Sequence, residues 1–381
     1  MGWPQPSPFV FDGPVAPGML IGRDDEAAAL RSWARAGRST VVVAPRRFGK
    51  TSLLTRVQAD ADRLDRMPVI LVDLYELAST SDLVIRLERA WAAHTPRRLR
   101  TRLARALAGA ELGLNVMGNG FQMRLADKPR TDPLPALHAL LGLPDRLHGR
   151  GERTLVVFDE FQSIGAVAGA EGVIRTYVQA QRESASYVFC GSQPSMMSRI
   201  FGDQARPFYG QAQRFELDRL KVGVLTAAVS DIFAESGRGE VEPVVAALMD
   251  RSEGHPQRAM LLAHLLWQRV EPGARAADDP AGLTDLVLAD AMAAVSAEIV
   301  AMLDVLPTAE KKTLRAIAEY GTPLSARALR DLNLHKASAQ SAAASLGDRA
   351  LVERLRGGSG WRIVDPLATR WLRTRYPTRP S

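Results

Sequence analysis

The stretch TVVVAPRRFGKTSL (residues 40–53) decides how the rest of the chain is read. Three valines and Ala44 close an apolar run, a short loop with Pro45 and Gly49 follows, and Lys50 opens the helical run KTSLLTRVQADADRL. The spacing is that of a phosphate-binding loop, G-x-x-x-x-G-K-[ST], with Ala44 at the first glycine. A helix start offers backbone N–H groups and the positive end of the helix dipole to an anion. In this pattern Pro45, Arg46, Arg47, Phe48 and Gly49 wrap the phosphates and Lys50 reaches the β- and γ-phosphates. The Thr51 hydroxyl, followed by Ser52, is the candidate magnesium ligand. A methyl at Ala44 costs about 1 kcal/mol or more only where φ must be positive.

Three further apolar runs, PVILVDL (68–74), TLVVFDE (154–160) and YVFCGS (187–192), are separated by helical segments. Near-continuous apolar runs in that order predict a buried parallel sheet, and QRFELDRL (213–220) is a candidate fifth strand. A phosphate loop needs an acid at the end of another strand. Asp159 fits as second magnesium ligand, and Glu160 as the base that polarises an attacking water. The alternative for this pair is a helix cap. Ser192 and Gln193, at the end of a neighbouring strand, are candidates to sense the γ-phosphate or orient the water, with a simple turn as the alternative. Ile21, in IGR (21–23), is placed to cover a base, and Pro256 and Arg258, in GHPQR (254–258), to approach a nucleotide. No N-K-x-D guanine-reading motif occurs, which favours ATP over GTP.

At 381 residues the chain is long enough for two or three compact units. The lone Cys190 excludes a disulfide framework and a multi-cysteine metal site, and is expected to be a buried, inert thiol. The histidines show no i, i+4 pair with an acidic base, and GSQPS lacks the G-x-S-x-G elbow, which disfavours zinc and serine hydrolases. No signal segment and no apolar run long enough to span a bilayer is apparent, so a cytoplasmic protein is expected. The net charge of +7 is modest for this length and weak evidence for nucleic acid.

A Pro-rich arm (1–18) leads into a helix that Asp24 and Asp25 are expected to cap. The interval 81–147 is too long for a simple crossover and reads as an insertion with a small hairpin at GNG. Its run RRLRTRLAR (97–105) is read as a solvated helix face, with phosphate-backbone binding as the alternative. Amphipathic helices follow residue 220, then a linker (271–282), then three helices and two short strands around GGSG, the pattern of a winged helix. Its second long helix, KASAQSAAASLGDR, is a poor surface for reading bases.

The ordered series MLIGRDDE, APRRFGKTSLL, LVVFDEFQ, FCGSQPSMM, PFYGQAQRFEL, EGHPQRAMLL and WRIVDPLATRWLR resembles the archaeal-type ATPases, relatives of the AAA+ and STAND nucleotide switches that also occur in bacteria. The resemblance runs nearly end to end. It implies an α/β P-loop NTPase core, a parallel sheet flanked by helices (19–221), with an α-helical lid (222–295) and a C-terminal winged-helix domain (296–381). It places Gly22 and Arg23 in the adenine-side motif, Lys50 and Thr51 in the phosphate loop, Asp159 and Glu160 in the second motif, and Pro256 in the lid. The chain departs from the family at Ala44 and at Gln211, where an arginine often stands; Arg206 or Arg214 would substitute, each with a surface salt bridge as the alternative. The implied function is an ATP- and Mg2+-dependent ATPase switch, binding ATP/ADP and acting on DNA or a protein through the winged helix. The competing reading is a regulatory module that is stabilised by nucleotide and does not hydrolyse it.

Overall fold

A computed structural model of the chain describes residues 6–107, 132–148, 153–239, 241–273, 279–355 and 360–376, together with the backbone of 112–117 and 120–125. The chain divides into two units. A core unit is made of Ala16–Ala44 and Lys50–Leu217, and a C-terminal unit of Met1–Val15, Pro45–Gly49 and Asp218–Ser381.

The core unit begins with α1 (Asp24–Arg35), β1 (Thr40–Val43), α2 (Lys50–Asp60), β2 (Val69–Asp73), α3 (Thr80–His94) and α4 (Arg100–Leu107). Asp24 and Asp25 do not cap α1: Arg23 holds the non-helical N-cap backbone, and the two acids lie in the first turn, where their charge still favours the positive end of the helix dipole. An antiparallel hairpin, β3 (Leu112–Met117) and β4 (Gly120–Leu125), pairs Met117 with Gly120. Residues 118 and 119 of the expected GNG turn lie outside the described residues. Then come α5 (Leu134–Leu141), α6 (Leu143–Leu147), β5 (Thr154–Asp159), α7 (Ala170–Ala180), β6 (Ala185–Gly191), α8 (Pro194–Gly202) and β7 (Gln213–Glu216).

Five strands form one parallel sheet in the order β2-β5-β6-β1-β7, so all four long apolar runs and the shorter fifth are strands. The register pairs Val43 with Gly191, Phe158 with Phe189 and Asp73 with Asp159, which aligns the carboxyl ends of β1, β6, β5 and β2. Ligands of open α/β sheets bind at that edge. β6 is buried along its whole length because both faces are covered. The Ser186 hydroxyl donates to the Ala34 carbonyl of α1, and Tyr187 and Phe189 alternate to the opposite face. There an aromatic cluster forms beneath the carboxyl end of β5: Phe161 lies 4.7 Å from Phe189 and 5.3 Å from Phe208, ring centre to ring centre. Cys190 is buried in β6, and burial pushes its thiol up, out of reach of easy ionisation.

The C-terminal unit contains α9 (Val222–Glu235), α10 (Glu242–Arg251), α11 (Pro256–Arg269), α12 (Pro280–Asp304), α13 (Thr308–Tyr320), α14 (Ala326–Asp331), α15 (Lys336–Asp348), the antiparallel pair β8 (Val352–Arg354) and β9 (Trp361–Ile363), and α16 (Pro366–Arg375). Three helices and a two-stranded hairpin thus occur where the sequence pattern placed them, residues 356–359 of the hairpin turn lying outside the described residues. α12 is long and apolar enough to cross a membrane by length and composition alone, although Asp285, Asp290 and Glu298 interrupt its apolar run. In this fold one face of α12 is buried through Val287, Leu288, Ala291, Val295 and Ile299, with α10, α11 and α16 as its neighbours. Asp290 and Glu298 on the same helix pair with Arg269 and Arg47. Of the expected linker (271–282), residues 274–278 lie outside the described residues, and α12 already begins at Pro280.

Phe161 follows Asp159 and Glu160 and is fully buried, so it anchors the turn that presents both acids. Truncating it to alanine should cost the core unit about 3 to 5 kcal/mol, read as a lower urea midpoint of the core transition. A midpoint unchanged from the parent would show that the turn is held by other contacts.

Candidate functional site

Lys50 is the first residue of α2 and is buried beside the carboxyl end of β1, where its ammonium donates to the Ala44 carbonyl at 3.1 Å. Ala44 itself is not among the residues with positive φ; the left-handed positions of the loop are Arg47 (φ 66°) and Gly49 (φ 79°). The methyl at the first glycine position therefore introduces no backbone strain.

One residue further on, the Thr51 hydroxyl donates to Oδ2 of Asp159 at 2.8 Å, and Oδ1 of Asp159 accepts from the Glu160 amide at 3.0 Å. Burial pushes the Asp159 carboxyl above its usual range and the neighbouring Glu160 adds to this, while the Thr51 bond and Lys50 oppose the rise. An acid in that position gains from a nearby cation. Glu160 sits in the left-handed region at φ 51°. Its Oε2 accepts from the Ser192 hydroxyl at 2.6 Å and from the Gln162 amide. The same Gln162 amide reaches Ser192 Oγ at 3.3 Å.

The core unit therefore brings Lys50, Thr51, Asp159, Glu160 and Ser192 into one cluster at the strand ends. Gln193 precedes α8, half-buried, and makes no hydrogen bond to this cluster among the described residues. Gly22 has φ 66°, Ile21 is half-buried, and the buried Arg23 pairs with Glu26 at 2.8 Å. Ser52 is buried inside α2, and its carbonyl accepts from Thr55. Arg206 pairs with Glu171, and Arg214 with Glu216 and Ser198, so both sit in the salt bridges set out as their alternative.

In the C-terminal unit the loop residues meet the start of α11. The Phe48 ring packs edge-on against His255 at 5.0 Å, and Arg47 is paired with Glu298 of α12. Arg258 is buried in a two-pronged bond to Asp365, the N-cap of α16, with Glu298 at 3.5 Å. Burial would raise the Asp365 carboxyl, but the Arg258 guanidinium more than offsets this and holds it below its usual range. Pro256 is the first residue of α11, and a cavity of about 220 Å3 opens beside Arg46, Arg47 and Arg258. Sequence reasoning missed Gln162, His255, Glu298 and Asp365. Gln162, two residues beyond Glu160, and His255, inside GHPQR, carry a local signal; Glu298 and Asp365 lie 40 and 107 residues from Arg258.

The chain matches no protein-family model and no curated protein. Among solved structures it is similar to a Walker-type ATPase of Pyrococcus abyssi, with 17% identity over 96% of this chain and 99% of that one, at a TM-score of 0.70. It is also similar to the ORC2 protein of Aeropyrum pernix in ADPNP–ADP complexes (16% identity, 95% of each chain, TM-score 0.59). The ADP form of ORC2 aligns too, at 15% identity over 96% of this chain and 95% of that one, with a TM-score of 0.53. The chain thus has the P-loop fold of these archaeal ATPases, the group its motifs resemble.

His255 is buried with its Nδ1 accepting from the Arg258 amide at 3.4 Å. Burial lowers its pKa from 6.5 to about 3, with Asp365 opposing the fall and Arg219 and Arg258 adding to it. The unfolded chain binds this proton at higher pH than the folded one. Its stabilising share is therefore complete above pH 6.5 and lost as pH falls toward 3. His255→Asn keeps an N-cap acceptor without a titrating ring, so the urea midpoint of this unit should change less between pH 7 and pH 5 in the variant than in the parent. Parallel pH profiles would remove His255 as the cause.

Proposed function

We propose that the core unit binds ATP at the start of α2 and hydrolyses it to ADP and phosphate. The observation that carries this reading is the Thr51 to Asp159 hydrogen bond, which joins the residue after the phosphate-loop lysine to an acid at the end of another strand. A salt-bridged surface loop would have no reason to make that link. Mg2+ fits this pair: both are hard oxygen ligands, and the buried carboxyl of Asp159 gains from positive charge. When bound, the ion neutralises charge on the β- and γ-phosphates.

The residues then divide the work. Lys50 holds the β- and γ-phosphate oxygens, and the loop amides from Pro45 to Gly49 wrap the same groups. Ile21, Gly22 and Arg23 form the adenine side. Glu160 accepts a proton from water as the water oxygen bonds to the γ-phosphorus, and the bond to the ADP bridging oxygen breaks. Ser192 steadies Glu160, with Gln193 the candidate contact for the γ-phosphate. Support for an adenine nucleotide comes from the missing N-K-x-D motif and from the ADPNP and ADP held by the structurally similar ORC2. Arg258 would meet an anion only by exchanging Asp365 and Glu298 for it.

The finer reading is a nucleotide-driven switch in a cytoplasmic protein, with 222–295 acting as a lid and 296–381 as a winged helix that engages DNA or a protein. It is supported by the pairing of Arg47, a loop residue, with Glu298 on α12. An anion that reorders the loop competes with that pair, and the competition is felt along α12. The exposed face of α15 offers Lys336 and Gln340 as its long polar side chains, which favours phosphate contacts over base reading.

Lys50→Ala should abolish ATP binding by titration calorimetry, and unchanged affinity would end the phosphate-loop assignment. Glu160→Gln should keep binding and slow hydrolysis by roughly 10² or more, since the amide keeps the shape without accepting the proton. For the switch, limited proteolysis of the full chain should cut the C-terminal unit at different rates with and without a non-hydrolysable ATP analogue. Identical rates at saturating analogue would favour the static binding module.

A further inference from the structure

We infer that Gln162 is a positioning residue for hydrolysis: with Ser192 it clamps one oxygen of Glu160, so that the other oxygen alone faces the attacking water. The inference rests on the proposed ATPase reading and adds to it a residue that the motifs do not assign. Both donors converge on the same atom. The Gln162 amide and the Ser192 hydroxyl each donate to Oε2 of Glu160, and no described residue donates a hydrogen bond to Oε1. A carboxylate free to rotate offers either oxygen in many orientations, whereas one fixed at Oε2 keeps Oε1 in a single direction. The Gln162 amide also touches Ser192 Oγ, so the three groups form a closed triangle rather than two separate bonds.

The surroundings are built to admit this side chain. Gln162 is buried, although a polar side chain of its size usually lies on the surface. A Cβ placed on Gly191 would stand 2.8 Å from Gln162 Oε1 and would also strike Met197. Gly191 is the last residue of β6 and directly precedes Ser192, and the space its missing side chain leaves is shared by Met197 and Gln162. On the other side, Phe161 is locked in the aromatic cluster, and the left-handed backbone at Glu160 turns the chain so that Gln162 points back at the carboxylate.

The test uses the full chain with ATP and Mg2+. Gln162→Met keeps the length and packing without the donor. It should leave the ATP affinity by calorimetry, the KM and the thermal midpoint near the parent values, and lower kcat by about 10- to 100-fold, the range expected for a misplaced reacting group. Because Gln162 acts through Glu160, adding Gln162→Met to Glu160→Gln should cause no further loss, as expected for residues that work as one unit. A Gln162→Met enzyme with parental kcat, or a loss that adds in full to that of Glu160→Gln, would overturn the inference. If Glu160→Gln itself turns over like the parent, it is the reading of Glu160 as the base that fails. A parent that does not hydrolyse ATP removes both together.

Discussion

The hydrogen bond from Thr51 to Asp159 joins residues 108 positions apart, and most of the core unit is arranged so that it can form. Thr51 follows β1 and Asp159 ends β5, yet these strands are not neighbours: β6 lies between them in the sheet. The bond therefore requires three strands in register, with Val43 opposite Gly191 and Phe158 opposite Phe189. A slip by one residue would turn every side chain of β6 to the wrong face, bringing Ser186 into the aromatic cluster and Phe189 against α1. The alternation of Tyr187 and Phe189 with Ser186 and Val188 holds the register, and so the acids stand at the same strand ends as Lys50 and Thr51.

In the C-terminal unit a buried charge cluster sits among the apolar helices. Arg258 is almost fully withdrawn from water, which is tolerable only because Asp365 meets it with two bonds and Glu298 lies nearby. Glu298 serves two arginines, since Arg47 of the loop also pairs with it. The exposed Arg47 pair contributes little stability by itself. Its consequence is geometric, because it ties the conformation of a strained loop residue to α12.

Much of this was legible in the sequence, and the limit is physical. Short β-branched runs bounded by turn residues and alternating with helical segments point to strands, and the loop spacing fixes Lys50 and Thr51 because a strand, a turn and a helix start leave few other geometries. Asp159 and Glu160 were readable for the same reason, being the first polar residues after a buried strand. The insertion of β6 between β1 and β5 was not, since strand order depends on crossovers that leave no mark on each strand. The pairing of Arg258 with residues 298 and 365 was not readable either, since no local pattern announces a pairing over that distance. Length and composition alone do not place α12 either. An apolar helix flanked by three others reads the same in one dimension as one exposed to lipid, and only its neighbours tell them apart.

Strain is where the remaining information lies. Three of the seven non-glycine residues with positive φ among the described residues fall in or beside the motif segments: Arg47, Glu160 and Glu253, the last just before the GHPQR run. Each costs about 1 to 2 kcal/mol relative to a relaxed backbone. At Glu160 the cost is offset by what the turn makes possible. Only a chain reversing at that residue returns Gln162 to the carboxylate while Phe161 stays buried, and the Oε2 clamp with Ser192 then holds the reversal in place. A relaxed backbone at Glu160 would carry the chain away from the strand end and leave the carboxylate with Ser192 as its one donor. The strained residue and the buried glutamine thus stabilise one another, and each is hard to explain without the other.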